Sequence, residues 1–143
     1  MGRSYWLIKT EPEEYSWEDF TKDARGRWDG VRNFAARNNL RKMRVGDWAF
    51  FYHTGKERRV VGVAEVKNEH YPDPTAQKGD FSSVDFGPLV PLVRPVTLQE
   101  IKKEEALNEM TLVRSPRLSV QPVRSDEFRR VLRMGQTKIE DEH

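Results

Sequence analysis

The run Trp48-Ala49-Phe50-Phe51-Tyr52-His53 constrains this chain more than any other segment, because aromatic and apolar side chains follow one another without a strand breaker. Successive side chains of a strand point to opposite faces. Trp48, Phe50 and Tyr52 therefore share one face, and Ala49, Phe51 and His53 share the other. A strand apolar on both faces needs cover on both, which places it in the middle of a sheet or barrel. Val45-Gly46-Asp47 supplies the turn before it, and Thr54-Gly55-Lys56-Glu57 a hairpin connection after it. The return strand is expected over Arg59 to Val66, with Val61, Val63 and Glu65 alternating against Val60, Gly62, Ala64 and Val66. Gly62 inside that pattern marks a bulge or a close backbone approach.

Other elements arrange themselves around this hairpin. Tyr5 to Lys9 reads as a short strand, with Trp6 and Ile8 opposite Tyr5, Leu7 and Lys9. Ser16-Trp17-Glu18-Asp19 forms a capping box, with Tyr15 placed to staple against Phe20. After the Trp28-Asp29-Gly30 turn, a helix is predicted from Phe34 to about Met43. Tyr71-Pro72-Asp73-Pro74 opens a long loop, and Val84 to Val93 reads as a strand whose Pro88 and Pro91 make it an edge or bulged one. Thr97-Leu98-Gln99-Glu100 is a second capping box, stapled by Val96 and Ile101. A short helix over Leu107 to Val113, a strand over Leu118 to Val123 and a last helix capped by Ser125 and ending near Met134 complete the prediction.

Strands and short helices interleave without a regular βαβ period, so the expected class is α+β, a small and strongly bent mixed sheet or pseudo-barrel. The 143 residues suffice for one core. A single domain is expected over residues 1–134, followed by a weakly held tail over 135–143. With no cysteine, no apolar run of membrane length and no signal-peptide pattern, a soluble, cytosolic, monomeric protein is expected.

Most catalytic parts are missing. His53, His70 and His143 have no second ligand at metal spacing, so neither a metal nor a cofactor is expected. No Ser lies in a G-x-S-x-G turn, and no glycine-rich phosphate loop occurs. The acidic pairs Glu13-Glu14 and Glu104-Glu105 are sequence neighbours that point apart. The sequence therefore reads as non-enzymatic.

Recognition is better supplied. The chain is 34% charged with a formal net charge of +2. Its bases cluster: Arg25, Arg27, Arg32, Arg37, Arg41, Lys42 and Arg44 form one segment, and Arg114, Arg117, Arg124, Arg129, Arg130 and Arg133 a second. If folding brings them together they form one anion-facing surface; otherwise they are two solvated faces. Trp6, Trp28, Trp48, Tyr52 and Tyr71 lie near polar residues, where a ring either stacks on a base or fills core. Lys9-Thr10-Glu11 offers an ammonium, a hydroxyl and a carboxylate at a strand end, the donors and acceptors that reading a base edge requires. Asn33 either caps its helix or reads ligand, and Arg32 either touches ligand or braces the loop.

Together, Tyr5-Trp6-Leu7-Ile8-Lys9-Thr10-Glu11-Pro12, Trp28-Asp29-Gly30-Val31-Arg32-Asn33 with Ala36-Arg37-Asn38, Val45-Gly46-Asp47 with Phe50-Phe51-Tyr52-His53, Ala64-Glu65-Val66, Tyr71-Pro72-Asp73-Pro74, Leu112-Val113-Arg114 and Arg117-Leu118-Ser119-Val120-Gln121-Pro122 resemble the EVE domain family. The segments occur in the family's order over nearly the whole chain. The resemblance implies a PUA-like pseudo-barrel related to ASCH and YTH domains, no catalytic activity, and a pocket for a modified nucleobase. The ligand it implies is modified cytosine in DNA, with RNA as the alternative. Carried over by position, the pocket would consist of Trp6, Lys9, Thr10, Glu11, Trp28, Arg32, Asn33, Tyr52, His53, Arg117, Ser119 and Gln121. Two competing readings are an enzyme acting on a small nucleobase or nucleotide, with His53 or Glu11 as general base, and a module that binds peptides on a sheet edge.

Overall fold

The computed structural model describes residues 2–140. The order of elements is β1 (Tyr5–Thr10), α1 (Trp17–Asp23), β2 (Gly26–Trp28), α2 (Phe34–Lys42), β3 (Trp48–His53), β4 (Arg59–Pro72), β5 (Ser82–Thr97), α3 (Leu98–Lys103), a 3-10 turn (Glu105–Leu107), α4 (Thr111–Arg114), β6 (Val120–Val123) and α5 (Ser125–Met134). Six strands form one mixed sheet in the order β2-β5-β4-β3-β1-β6. β1 runs parallel to β3, while the other pairs are antiparallel. A parallel pair requires a crossover, and the chain provides it with α1, β2 and α2.

β3 explains the architecture, since every one of its residues is buried. Ala49 and Phe51 face a core shared with Trp6, Ile8, Phe20, Trp28, Ala36 and Leu40, so α1 and α2 cover that side. Trp48, Phe50 and Tyr52 face a second core shared with Leu7, Ile101, Leu107, Leu112, Phe128 and Val131, covered by α3, α4 and α5. The two-sided burial expected of Trp48–His53 is thus met by helices on both faces, an α+β fold. The capping boxes at Ser16 and Thr97 both form.

Gly62 is where the alternation of β4 changes phase. Val60 and Val63 join the second core whereas Val61, Ala64 and Val66 join the first, so Val61 and Val63 do not share a face. The β4–β5 register shifts between Val60 and Gly62, and the extra residue of such a bulge reverses the pleat beyond it. A Cβ on Gly62 would lie 2.6 Å from the Trp17 ring. Gly62 is therefore both bulge and close approach.

Other boundaries differ from the sequence pattern. β5 continues through Pro88 and Pro91 as far as Thr97. The prolines are tolerated because β2 pairs only with Val84 to Phe86, leaving that side of β5 without a strand beside them. The helix predicted over Leu107 to Val113 is split into the 3-10 turn and α4, because Met110 adopts an extended conformation (φ −59°, ψ 138°). Arg124, not Ser125, caps α5, its N–H donating to Glu127 Oε1 at 3.0 Å. Beyond α5, Arg94 N–H donates to the Gly135 carbonyl at 3.0 Å and Val93 N–H to Thr137 Oγ1 at 2.8 Å. Residues 135–137, the start of the segment expected to be weakly held, thus dock on β5. Residues 141–143 of that tail lie outside the described residues.

Candidate functional site

The C-terminal ends of β1 and β3 lie side by side, with Lys9 opposite Tyr52 and Thr10 opposite His53. Beyond Thr10 the chain turns at once, because the Glu11 carbonyl accepts from the N–H groups of Glu14 and Tyr15, each at 2.9 Å. Thr10 Oγ1 then donates to the Tyr15 carbonyl at 2.9 Å. This turn brings Tyr15 back beside Trp28, the ring centroids 6.2 Å apart in an edge-on arrangement. Between them opens a cavity of about 390 Å³ whose wall includes Lys9, Thr10, Tyr15, Arg27, Trp28 and Asp29. That volume lies toward the lower end for small-molecule sites, about 300–1,000 Å³.

Lys9 is the pivot of this region. Its ammonium donates to the Pro116 carbonyl at 2.5 Å and lies 5.8 Å from the centre of the Tyr52 ring. Two of its three donor positions remain for a ligand. Burial lowers its pKa from the usual lysine value. Lys9 also lines a second cavity, of about 250 Å³, with Tyr52, Thr54, Arg58 and Lys102.

The remaining residues named by the resemblance divide into neighbours and outsiders. Ser119 accepts the Lys9 N–H through its carbonyl at 3.0 Å, and exposed Arg117 sits on the same loop. Gln121 is wholly buried and holds that loop, donating from Nε2 to the carbonyls of Ser115 at 3.1 Å and Leu118 at 2.9 Å. The Glu11 carboxylate lies over Gly55, where an added Cβ would fall 2.7 Å from Oε1. His53 accepts the Trp17 N–H at Nε2 (3.0 Å) and pairs through Nδ1 with Glu57 Oε1 (2.8 Å). These bonds place its proton on Nδ1 and occupy both nitrogens.

Trp6, Arg32 and Asn33 stand outside both cavities. Trp6 belongs to the first core and donates to Asp47 Oδ2 at 3.0 Å. Asn33 caps α2, its Oδ1 accepting from Ala36 N–H at 2.9 Å. Arg32 braces Asp73 and not Asp29, which pairs with Arg27 at 2.8 Å. Conversely, Tyr15 lines the cavity, although the sequence marked it only as a staple for Phe20. Its position at the exit of the Glu11-Pro12 turn was the available signal.

The two basic segments do not form one continuous surface. α2 packs on the first core and α5 on the second, so the sheet stands between the arginines of these two helices, while Arg117 lies on the loop before β6, whose Leu118 packs on the first core. Several of those arginines are held by acids, Arg41 by Asp80, Arg124 by Asp126 and Arg130 by Glu104. Among the described residues there is no cluster of three or more His, Cys, Asp or Glu side chains able to hold a metal.

The sheet order and the two-sided cover of β3 define a small α+β domain of the pseudo-barrel class, with a polar, aromatic cavity at the end of β1. Comparison with known proteins gives the group within that class. The chain belongs to the EVE domain family, whose model matches residues 4–134. Among curated relatives, thymocyte nuclear protein 1 of Mus musculus is 34% identical over 169 residues, covering 94% of this chain and 75% of the relative. Among solved structures, the crystal structure of protein Atu2648 from Agrobacterium tumefaciens superposes with a TM-score of 0.92 at 41% identity, covering 96% of this chain and 99% of that one. The human THYN1 protein, crystallised in complex with 5-methylcytosine-containing DNA, superposes with a TM-score of 0.84 at 32% identity, covering 95% and 99% of the two chains.

Proposed function

We propose that this protein is a nucleic-acid reader that admits one modified base, modified cytosine in DNA before a base in RNA, to the cavity between Lys9, Thr10, Tyr15 and Trp28. The observation that carries the reading is the opening of the β1 end into an aromatic cavity, with a half-buried ammonium at its rim. A relative at 32% identity in complex with 5-methylcytosine-containing DNA supports it. A base turned out of its stack presents a polar edge and two flat faces. Lys9 and Thr10 meet the edge, while Trp28 and Tyr15 exclude water from the ring. No bond of the base is broken. The His53 nitrogens are spent on Trp17 and Glu57, which leaves that residue no free position from which to act as a base.

Fluorescence titration with matched oligonucleotides, with and without 5-methylcytosine, tests the reading. Tighter binding of the modified strand, weakening steeply with salt, is expected. Equal and negligible binding of both at low salt would overturn it. Mass spectrometry of the recovered oligonucleotide should show it unchanged.

A further inference from the structure

The base cavity is the first of three adjoining cavities. It shares Lys9 with the second, and the second shares Arg58, Leu98 and Lys102 with a third of about 360 Å³ that ends at Lys56. Lys9, Arg58, Lys102 and Lys56 thus succeed one another along a single path over the surface.

Bases outnumber acids along the second and third cavities, where the nearest carboxylates are Glu11, lying over Gly55 in the wall of the second, and Glu57 in the third. No acid itself lines the second cavity. Glu57 is the one acid lining the third, and its carboxylate is engaged by His53 Nδ1 at 2.8 Å and Arg59 Nε at 3.0 Å. The hydrogen bond from His53, foremost, keeps the Glu57 carboxyl below its ordinary pKa. Among the described residues Lys56, Arg58 and Lys102 have no carboxylate partner. That sets them apart from Arg32, Arg41 and Arg130, each of which is held by an acid.

Arg58 is set on this path by its turn. It has φ of 43°, in the left-handed region that a residue with a Cβ rarely occupies. The strained turn is locked by a bond of 2.8 Å from the Leu98 N–H to the Arg58 carbonyl. Glycine or asparagine would fill such a position more easily. Ala24 and Gln136 also take positive φ, so the turn by itself calls for no ligand; what singles out Arg58 is that it lines both the second and the third cavity.

We propose that the single strand carrying the read base leaves the base cavity along this path, its phosphodiester groups meeting Arg58, Lys102 and Lys56 in turn. The inference rests on the base-reading function and supplies the part of the interface that carries no sequence information. Phosphate contacts position a strand, while the base contact specifies it.

The test uses the full chain and short single-stranded oligonucleotides bearing one central 5-methylcytosine. Affinity is measured across a salt series for the wild type, for Lys56→Ala/Lys102→Ala, and for a charge-matched control, Lys42→Ala/Lys67→Ala. Thermal unfolding confirms that all three are folded. Removing two phosphate contacts should make the slope of log K against log salt shallower by about 1.4, a loss of about 25-fold at roughly 0.1 M salt. The ratio of methylated to unmethylated binding should not change, and the control should match the wild type. An unchanged slope in Lys56→Ala/Lys102→Ala, an equal loss in the control, or absence of oligonucleotide binding by the wild type would each overturn the path. A wild type that binds both oligonucleotides equally, with the slope still reduced in Lys56→Ala/Lys102→Ala, would remove the base reading and leave the path standing.

Discussion

Arg32 reaches across 41 positions of sequence to Asp73, its Nη1 lying 2.9 Å from Oδ2. The same carboxylate accepts from Gly30 N–H at 2.8 Å, Thr75 N–H at 2.8 Å and Thr75 Oγ1 at 2.7 Å. Asp73 is buried, so the segment after Trp28 and the loop after β4 are joined through one desolvated charge. Of the two roles expected of this arginine, the brace is formed, to Asp73.

Replacing that carboxylate should therefore cost stability in a pH-dependent way. Burial alone would raise the Asp73 pKa, but the bonds from Arg32, Thr75 and Gly30 outweigh it and hold the group well below the usual carboxylate range. A depressed acid contributes stability that is present above its unfolded pKa of about 3.9 and lost as pH falls toward the native value. Asp73→Asn should lose about 2–3 kcal/mol at neutral pH. Denaturant titrations below about pH 4 should show a flatter acid limb than the wild type's. Parallel acid limbs would contradict this account.

Gly62 and Trp17 make the second prediction. The methyl of Gly62→Ala would fall 2.6 Å from the indole, and forcing this partly buried ring aside against the first core typically costs about 1–3 kcal/mol. The double variant Gly62→Ala/Trp17→Leu should recover part of that loss, seen as a positive coupling in urea unfolding. Additive losses would show that the strain lies in the backbone and not against Trp17.

What was legible in the chain was what local pattern dictates. Trp48–His53 announced two-sided burial because its rings alternate. Ser16 and Thr97 announced helix starts because their capping partners lie three residues on, and Gly62 announced a bulge or a close backbone approach because a glycine interrupts a run of β-branched residues. Apart from the cap of α5 at Arg124 and the break at Met110, which are local, the differences turn on partners distant in sequence. The length of β5 is set by its pairing with β4, which overrides Pro88 and Pro91. The separation of the two basic segments follows from which face each helix covers. Trp6 carries a polar N–H that a pocket would welcome, yet Asp47, 41 positions away, takes it. Tyr15 reaches the cavity only because the Glu11 turn folds back on β2.

His53 separates binding from catalysis. Its two nitrogens satisfy the Trp17 N–H and the Glu57 carboxylate, and the residue is buried. His53→Ala should lose about 2–3 kcal/mol of stability by leaving both partners unpaired. His53→Gln, which retains an acceptor and a donor, should lose less. Oligonucleotide affinity of the folded His53→Gln variant should stay within a few-fold of wild type. A large loss of affinity with stability intact would place His53 at the ligand.

Lys9 gives a prediction in which stability and function move in opposite directions. Burial lowers its pKa, which means that the charged form is penalised in the folded state relative to the unfolded one. For a lysine shifted downward, the unfolded chain holds its proton more tightly. The penalty is thus fully present below the folded pKa and fades as pH rises toward the unfolded value of about 10.4. Lys9→Met should therefore be as stable as the wild type or more so near neutrality, with the difference closing at alkaline pH. The same change removes the ammonium at the cavity rim. It should weaken binding of the modified oligonucleotide by about 1.5–3 kcal/mol, the range for a hydrogen bond to a charged group, or roughly 10- to 150-fold. Thermal unfolding across pH, together with titrations of the same preparation, separates the two effects. Among the described residues the ammonium has one protein acceptor, the Pro116 carbonyl, so Lys9→Met that loses stability and keeps its affinity would assign Lys9 to that bond and refute its base-edge role.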